Sequence, residues 1–317
     1  MNQLIETQVS TARCIQASEC SVTGKQIITL ELTYPRAIHA QLLTHGVFSK
    51  NSSSTRAVPL KAAIAQVRAN PAQVVWTENQ AGMQGRVITE PVSLDYLERF
   101  KLTMMNHAIS YVETLAENGV HKQNAGRYLE PFQNIKIVLT STEWDNWDWL
   151  RFDPDAQGEI ADLARAMKEA RDSAEVMILN EGEWHVPYVE RLRSPIGKLY
   201  YRTSSEDCLS VEEAKAVSSS VCAQISYRKA DDSLEKALKM RGMLVDGRKV
   251  HASPFEHQAT PIPELPSNTM VVSNFLMRMP EGVTHIDRDA TPCSGNLKQW
   301  IQYRQLIPNH DKAIDNG

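Results

Sequence analysis

Hydroxyl, amide and cationic side chains crowd into one short stretch. Ser49, Lys50, Asn51, Ser52, Ser53, Ser54, Thr55 and Arg56 follow one another without an apolar residue between them. Such residues compete with the backbone for hydrogen bonds and favour caps and turns over a core. With Lys50 and Arg56 on either side, the stretch offers many donors, and an anion such as phosphate is the ligand they would serve best. A solvated linker has the same composition, and no Gly-x-x-x-x-Gly-Lys loop is present to decide between the two. A second group lies in HASPFEH, residues 251–257. His251, Glu256 and His257 are metal-ligand types, but Pro254 breaks the i, i+4 helical geometry of a zinc site, so no metal is expected. A turn at a helix start is the plain alternative.

Three arginines, Arg56, Arg127 and Arg151, each stand close to an apolar run. Arg151 follows a segment holding Asn146 and three tryptophans, Trp144, Trp147 and Trp149. A Trp-rich helix packs into a core or a subunit contact, or stacks on a planar ring. Glu143, Asp145 and Asp148 suit an exposed helical face. No Ser-His-Asp or Cys-His set has a recognisable spacing.

The elements that must position these residues are partly legible. Residues 26–32 (QIITLEL) alternate and read as a strand ended by Pro35. Residues 38–44 form a helix leading into the polar stretch, and Pro59 opens a helix over 60–68. A long connection, 70–91, contains Gly82, Met83 and Gly85. Ser93 is the expected cap of a helix over 94–118 with Leu94, Leu97, Leu102, Met105, Ile109, Val112 and Leu115 roughly in phase, closed by Gly119. A further helical turn or two spans 121–129 before Pro131. A strand at 135–139 and a helix start at 142–150, with Glu143 and Asp145 in its first turn, follow. The spacing predicts an amphipathic helix over 156–174. Residues 180–203 hold Gly182, Pro187, Pro195 and Gly197 and read as irregular. Helices are expected at 210–220 and at 232–243, the latter stopped by Gly247. Residues 221–227 read as a helix end or a strand, 261–266 as Pro-rich and extended, 270–277 as apolar, and 296–306 (NLKQWIQYRQL) as a packed helix.

The chain has 317 residues and a formal net charge of -4. That length buries a sizeable core, and the near balance of charge argues against a nucleic-acid partner bound through a basic face. No apolar run is long enough to span a membrane, and the first residues lack a signal-peptide pattern. Cys14, Cys20, Cys208, Cys222 and Cys293 form no C-x-x-C pair, which suits reduced thiols and a cytoplasmic setting.

Taken together, these stretches resemble the flavin-dependent thymidylate synthases. The family signature RHRxxSxNExSxRY aligns with THGVFSKNSSSTRA, placing His45, Ser49, Asn51, Ser54 and Arg56 in register. GVHKQNAGRYLEP at 119–131 is similar to the family's Gly-Val-x-Lys-x-x-Ala-Arg segment. TSTEWDNWDWLR at 140–151 is similar to its helix ending in Leu-Arg, and AQGEIADLA at 156–164 to its Ala-Gln-x-Glu-Ile run. HASPFEH resembles its Ser-Pro-Phe-Glu-His motif, and VCAQISY its Arg-Val-Ser-Tyr segment. The order differs: Ser-Pro-Phe-Glu-His usually precedes the signature and here follows it by about 200 residues. The resemblance therefore implies a circularly permuted, phage-type relative, a rearrangement open to chains whose ends meet in space.

The resemblance implies an α+β fold, a mixed or antiparallel sheet flanked by long helices, in a single catalytic domain over 1–317. Within it, 25–165 carries the signature and the nucleotide and flavin helices, 166–209 is an irregular connection, 210–257 is the permuted segment and 258–317 a C-terminal extension. The implied reaction moves a one-carbon unit from methylenetetrahydrofolate to C5 of a pyrimidine deoxynucleotide, most directly dUMP to dTMP, with FAD as cofactor and NADPH as reductant. Ser54, Arg56, Arg127 and Lys50 would bind the nucleotide. Arg151 would stabilise charge on the base. His45, Asn51, Asn146, Ser253, Glu256 and His257 would hold FAD. Sites of this kind are shared between the chains of a homotetramer. Departures stand beside these matches: Thr44 and Gly46 replace the two signature arginines, Ser52 the glutamate and Ala57 the tyrosine, and Gly126 takes the register of a phosphate-binding arginine, with Arg127 one residue later. They leave open a sister reaction that ends at a 5-hydroxymethyl pyrimidine or takes dCMP, and a non-catalytic nucleotide- or flavin-binding relative.

Overall fold

The computed structural model describes residues 3–81, 85–205, 207–226, 230–246, 250–263 and 279–312. At its centre three long strands run antiparallel: β2 (Thr11–Cys20), β3 (Gln26–Pro35) and β5 (Asn134–Ser141). The short β1 (Leu4–Glu6) and the parallel β6 (Val176–Leu179) share the outer edge of β2, and β4 (Ser49–Ser52) closes the other side against β5. β3 shows why both faces are covered. Ile28, Leu30, Leu32 and Tyr34 point into one core, while Ile27 and Thr29 point to the other, as a period of two requires. The first core is closed by α1 (His39–Leu43), α5 (Asp145–Arg151) and α6 (Gly158–Asp172). The second is closed by α7 (Val211–Ala223), α8 (Leu234–Val245) and the C-terminal strands. A third cluster joins α2 (Leu60–Ala69) to the long α3 (Pro91–Glu117), with α4 (Lys122–Ala125) and a 3-10 turn over Gly126–Phe132. The expected α+β class, with a mixed and mainly antiparallel sheet flanked by helices, is the class observed.

Several elements differ from expectation. The N-terminal β1 and β2 lie in a stretch with no clear sequence signal. α3 begins before Ser93: the Glu90 carboxylate accepts from the backbone N–H of Val92 and Ser93 and caps it instead. Leu102 is exposed and Lys101 takes the buried position, its ammonium paired with Glu98. Glu143 lies before α5, whose first turn holds Asp145 and Asp148, and pairs with Lys25. The 166–209 segment is not an irregular connection. It carries the end of α6, then β6, then β7 (Glu190–Arg193) paired with β8 (Leu199–Arg202), then β9 (Cys208–Leu209). Its glycines are turn residues: Gly182 and Gly197 have φ of 78° and 82°.

Residues 296–306 are not the single packed helix expected: only Tyr303–Leu306 is helical, as a 3-10 turn, and strands precede it. β10 (Ala259–Pro261), β11 (His285–Ile286), β12 (Pro292–Ser294), β13 (Leu297–Lys298) and β14 (Trp300–Gln302) form small sheets there, with β14 paired to β10. Gln299 at φ 61° interrupts any helical path between β13 and β14. Gly82, Met83, Tyr227, Gly247, the end of 261–266 and all of 270–277 lie outside the described residues.

Candidate functional site

β4 can be polar because it lies at the sheet's end, where other segments bring partners to its side chains. Ser49 Oγ donates to Asn296 Oδ1 at 3.1 Å and accepts from Gln302 Nε2 at 3.2 Å; the same amide reaches the Glu256 carbonyl at 3.2 Å. Asn51 Nδ2 lies 3.5 Å from the Cys222 carbonyl, and the Ser54 amide donates to Ser226 Oγ at 2.9 Å. Segments far apart in the chain therefore close on one four-residue strand.

A charged cluster forms at its first end. Lys50 Nζ donates to the His45 carbonyl at 2.7 Å. Burial lowers the Lys50 pKa, and the opposing charge of Glu256 pulls it back up. Glu256 pairs in turn with Arg304. Arg151 Nε and Nη2 donate to His45 Nε2 at 3.3 and 3.1 Å. A guanidinium only donates, so His45 Nε2 carries no proton and the neutral ring holds it on Nδ1. Burial first, then Arg151 and Lys50, keep the His45 pKa below its ordinary value. Trp147 meets the ring edge-on at 4.7 Å between centroids and Phe48 stacks on it at 5.9 Å. Arg151 is thereby aimed by a fixed imidazole, with three of its five N–H groups left over.

At the other end of β4 a cavity of about 380 Å³ opens, lined among others by Arg36, Ser53, Ser54, Gln133, Lys136 and Ser226. Lys136 is committed to Glu31, at 2.8 Å. Arg36 Nε and Gln133 Oε1 are buried with no hydrogen-bond partner among the described residues. Burial lowers the Arg36 pKa from its ordinary value, with Glu130 opposing. A guanidinium whose buried Nε has no partner among the described residues, beside a row of hydroxyls, suits an anionic ligand.

His45, Lys50, Arg151 and Glu256 come together, with Asn51 alongside on β4. His257 is fully buried behind them, its Nδ1 at 2.9 Å from Thr140 Oγ1. Ser54 lines the cavity, and Arg56 is exposed just beyond it. Arg127 and Asn146 are exposed on the Gly126–Phe132 turn and on α5, and Ser253 is exposed in its own turn, so none of these three makes a polar contact with the cluster. Arg36, Gln133 and Lys136 escaped the sequence reading. Their only signal is a cation directly after the strand-ending Pro35, which is too common to single out.

The sequence profile of one protein family, thymidylate synthase complementing protein (Thy1), matches residues 6–174. That span runs from the end of β1 to just beyond α6 and holds His45, Ser54 and Arg151. The chain belongs to this family. Among curated proteins, none matches it. As a Thy1 protein it is an enzyme of the thymidylate synthase type. In this Thy1 chain Thr44 Oγ1 donates to the Gln41 carbonyl at 2.7 Å, closing α1. A Cβ added at Gly46 would meet nothing within 4 Å, so packing does not account for the missing signature side chain there.

The two fully buried histidines of this Thy1 protein make its stability depend on pH. Burial pushes His257 down to about 3 and His185 well below its ordinary value. Folded pKa values below the unfolded one mean that both neutral rings contribute stability above about pH 6.5, which is lost as pH falls, because only the unfolded chain then takes up protons. Unfolding free energy from urea titration should drop by about 2 kcal/mol between pH 6 and pH 5. A flat profile over that interval would show that the rings are protonated in the fold.

Proposed function

We propose that this Thy1 protein transfers a one-carbon unit from methylenetetrahydrofolate to C5 of a pyrimidine deoxynucleotide monophosphate, dUMP in the first instance, with FAD as cofactor and NADPH as reductant. One observation carries the reading. The Ser253–Glu256 turn, about 200 residues from the signature, is tied to β4 through Gln302, whose Nε2 donates to both Ser49 Oγ and the Glu256 carbonyl at 3.2 Å, on the same side as the Lys50, His45 and Arg151 cluster. This juxtaposition is what a circularly permuted order of the family motifs requires.

The residues present fit an anionic, oxygen-rich ligand. Lys50, Arg151 and Arg36 are cations at least partly withdrawn from water. His257 Nε2 is a buried ring nitrogen without a partner among the described residues. FAD would be held by His45, Asn51, Glu256 and His257, with Ser253 and Asn146 reaching it from exposed positions; once reduced, it supplies a hydride. Ser54, Arg56 and Arg36 would take the nucleotide phosphate through charge-assisted hydrogen bonds. Lys50 would add positive charge along the same edge. Arg151 would donate to the carbonyl oxygen of the base and stabilise the negative charge that develops as C5 becomes nucleophilic. Cys14 and Cys222 take no part in this scheme: burial raises the Cys14 thiol to about 12 and the Cys222 thiol further.

A homotetramer would complete the site. Val92, Tyr96, Phe100 and Met104 repeat at four-residue spacing along α3 and are all exposed. Tyr128 continues this apolar surface against Tyr111 at 4.9 Å, and Arg127 stands next to it. Burial of this face between subunits would carry Arg127 to a neighbour's nucleotide.

The departures at Thr44, Gly46 and Ser52 keep a second reading in view, formation of a 5-hydroxymethyl pyrimidine or use of dCMP. The mass of the product formed from dUMP or dCMP with folate, FAD and NADPH separates the two. Loss of a charged hydrogen bond predicts that Arg36→Ala raises KM for the nucleotide about tenfold or more, with kcat little changed. No product from either nucleotide would sink the enzymatic reading, and an unchanged KM would remove Arg36 from the site.

A further inference from the structure

A chain of hydrogen bonds runs across one face of the sheet, through side chains on β2, β3 and β5. Arg191 on β7 donates from Nη1 to Ser18 Oγ at 2.6 Å and from Nη2 to the Ala17 carbonyl at 3.0 Å. Ser18 Oγ lies 2.7 Å from His185 Nδ1, and His185 Nε2 lies 2.9 Å from Thr29 Oγ1. Thr29 Oγ1 is 2.7 Å from Thr140 Oγ1, which is 2.9 Å from His257 Nδ1. Ser18, Thr29 and Thr140 stand on β2, β3 and β5, and Thr29 and Thr140 are paired directly across the ladder. Every side chain between Arg191 and His257 is buried.

The chemistry of the members permits one direction only. A guanidinium cannot accept, so Ser18 must accept from Arg191 and has a single proton left to give. It gives it to His185 Nδ1. His185 is neutral, so its proton sits on Nε2 and goes to Thr29. Thr29 then donates to Thr140, and Thr140 to His257 Nδ1. Running the chain the other way would leave the Ser18 proton buried without an acceptor, a cost comparable to a lost hydrogen bond. We propose that Arg191, acting through His185, is a positioning residue that locks His257 in the tautomer with its proton on Nε2. His257 thereby presents a donor to an acceptor oxygen of a bound ligand. The lock itself does not depend on the ligand; its use toward FAD rests on the function proposed above.

His257 Nε2 is buried and has no partner among the described residues, as a donor kept for a ligand would be. His185 is also held in place by its backbone, which exchanges hydrogen bonds with Ala259 at 2.8 and 3.1 Å, two residues beyond His257. Arg191 and His185 both lie outside the span matched by the family profile.

Long-range nitrogen–proton NMR of the ligand-free protein reads the tautomer directly. The wild type should show His257 with a protonated Nε2 and a bare Nδ1, favoured about tenfold or more, as one buried hydrogen bond sets. A proton on Nδ1 would overturn the proposal, whatever the enzyme's activity proves to be. Ser18→Ala should raise the Nδ1–H form of His257 severalfold, while Arg191→Lys alone, still a pure donor, should keep the wild-type pattern. A folded Ser18→Ala protein with unchanged His257 resonances would overturn the role of Arg191. Should Ser18→Ala not fold, Thr29→Val against Thr29→Ser tests the same link with the same two outcomes. FAD absorbance, followed separately, reports whether the flavin reading holds.

Discussion

Arg151→Ala should lower the rate of product formation by about 10²–10³-fold, the usual cost of removing a preorganised donor at developing negative charge. The residue is well placed for that effect. Its Nε and Nη2 are used by His45, which is itself clamped by Trp147 and Phe48, so the remaining N–H groups are aimed before substrate arrives. It is only part-buried, and its removal leaves the His45 ring packed, so the melting temperature should move little. Arg151→Lys should not restore the rate, because an ammonium cannot hold His45 and a carbonyl with a planar fork. Single-turnover kinetics with bound nucleotide isolates the chemical step. Turnover in Arg151→Ala within threefold of wild type would remove its assigned role.

Trp300→Ala should destabilise the fold by about 4 kcal/mol, from lost burial and the cavity left behind. Trp300 is fully buried on β14, its Nε1 donates to the Lys25 carbonyl at 3.1 Å, and its ring meets His185 edge-on at 6.5 Å. The change removes one of the two hydrogen bonds at that carbonyl, which keeps the Cys20 N–H at 3.0 Å, and loosens β10, which follows closely on His257. Trp149, 75% exposed on α5, is the internal control: Trp149→Ala should stay within about 0.5 kcal/mol of wild type. Urea denaturation of both variants measures the contrast. Equal effects would mean that the C-terminal sheet contributes nothing to the core.

The same contrast shows where sequence reading stops. Trp144, Trp147 and Trp149 sit in one short segment with similar neighbours, yet Trp147 is fully buried against His45 and Trp149 faces solvent. Helical phase alone does not say which face meets the sheet. The 296–306 segment failed for a related reason. Its apolar spacing fits a helix turn, but β10, supplied from about 40 residues earlier, offers Trp300 and Ile301 a strand partner. Non-local pairing overrides a weak local preference.

What the residues determined unaided is local: the alternation that makes β3, the long amphipathic helices α3 and α6, the hydroxyl-rich turn after β4 and the motifs that mark the family. Each is encoded within a few residues of where it appears, by periodicity, capping or turn chemistry. Tertiary structure decided which charges keep company. It spent Lys50 on the His45 carbonyl and Lys136 on Glu31, and left Arg36 Nε without a hydrogen-bond partner among the described residues. It also strung Arg191 to His257 through four side chains drawn from separate strands and loops. A hydrogen bond depends on separations of a few tenths of an ångström between residues scores of positions apart, and only the folded chain sets those distances.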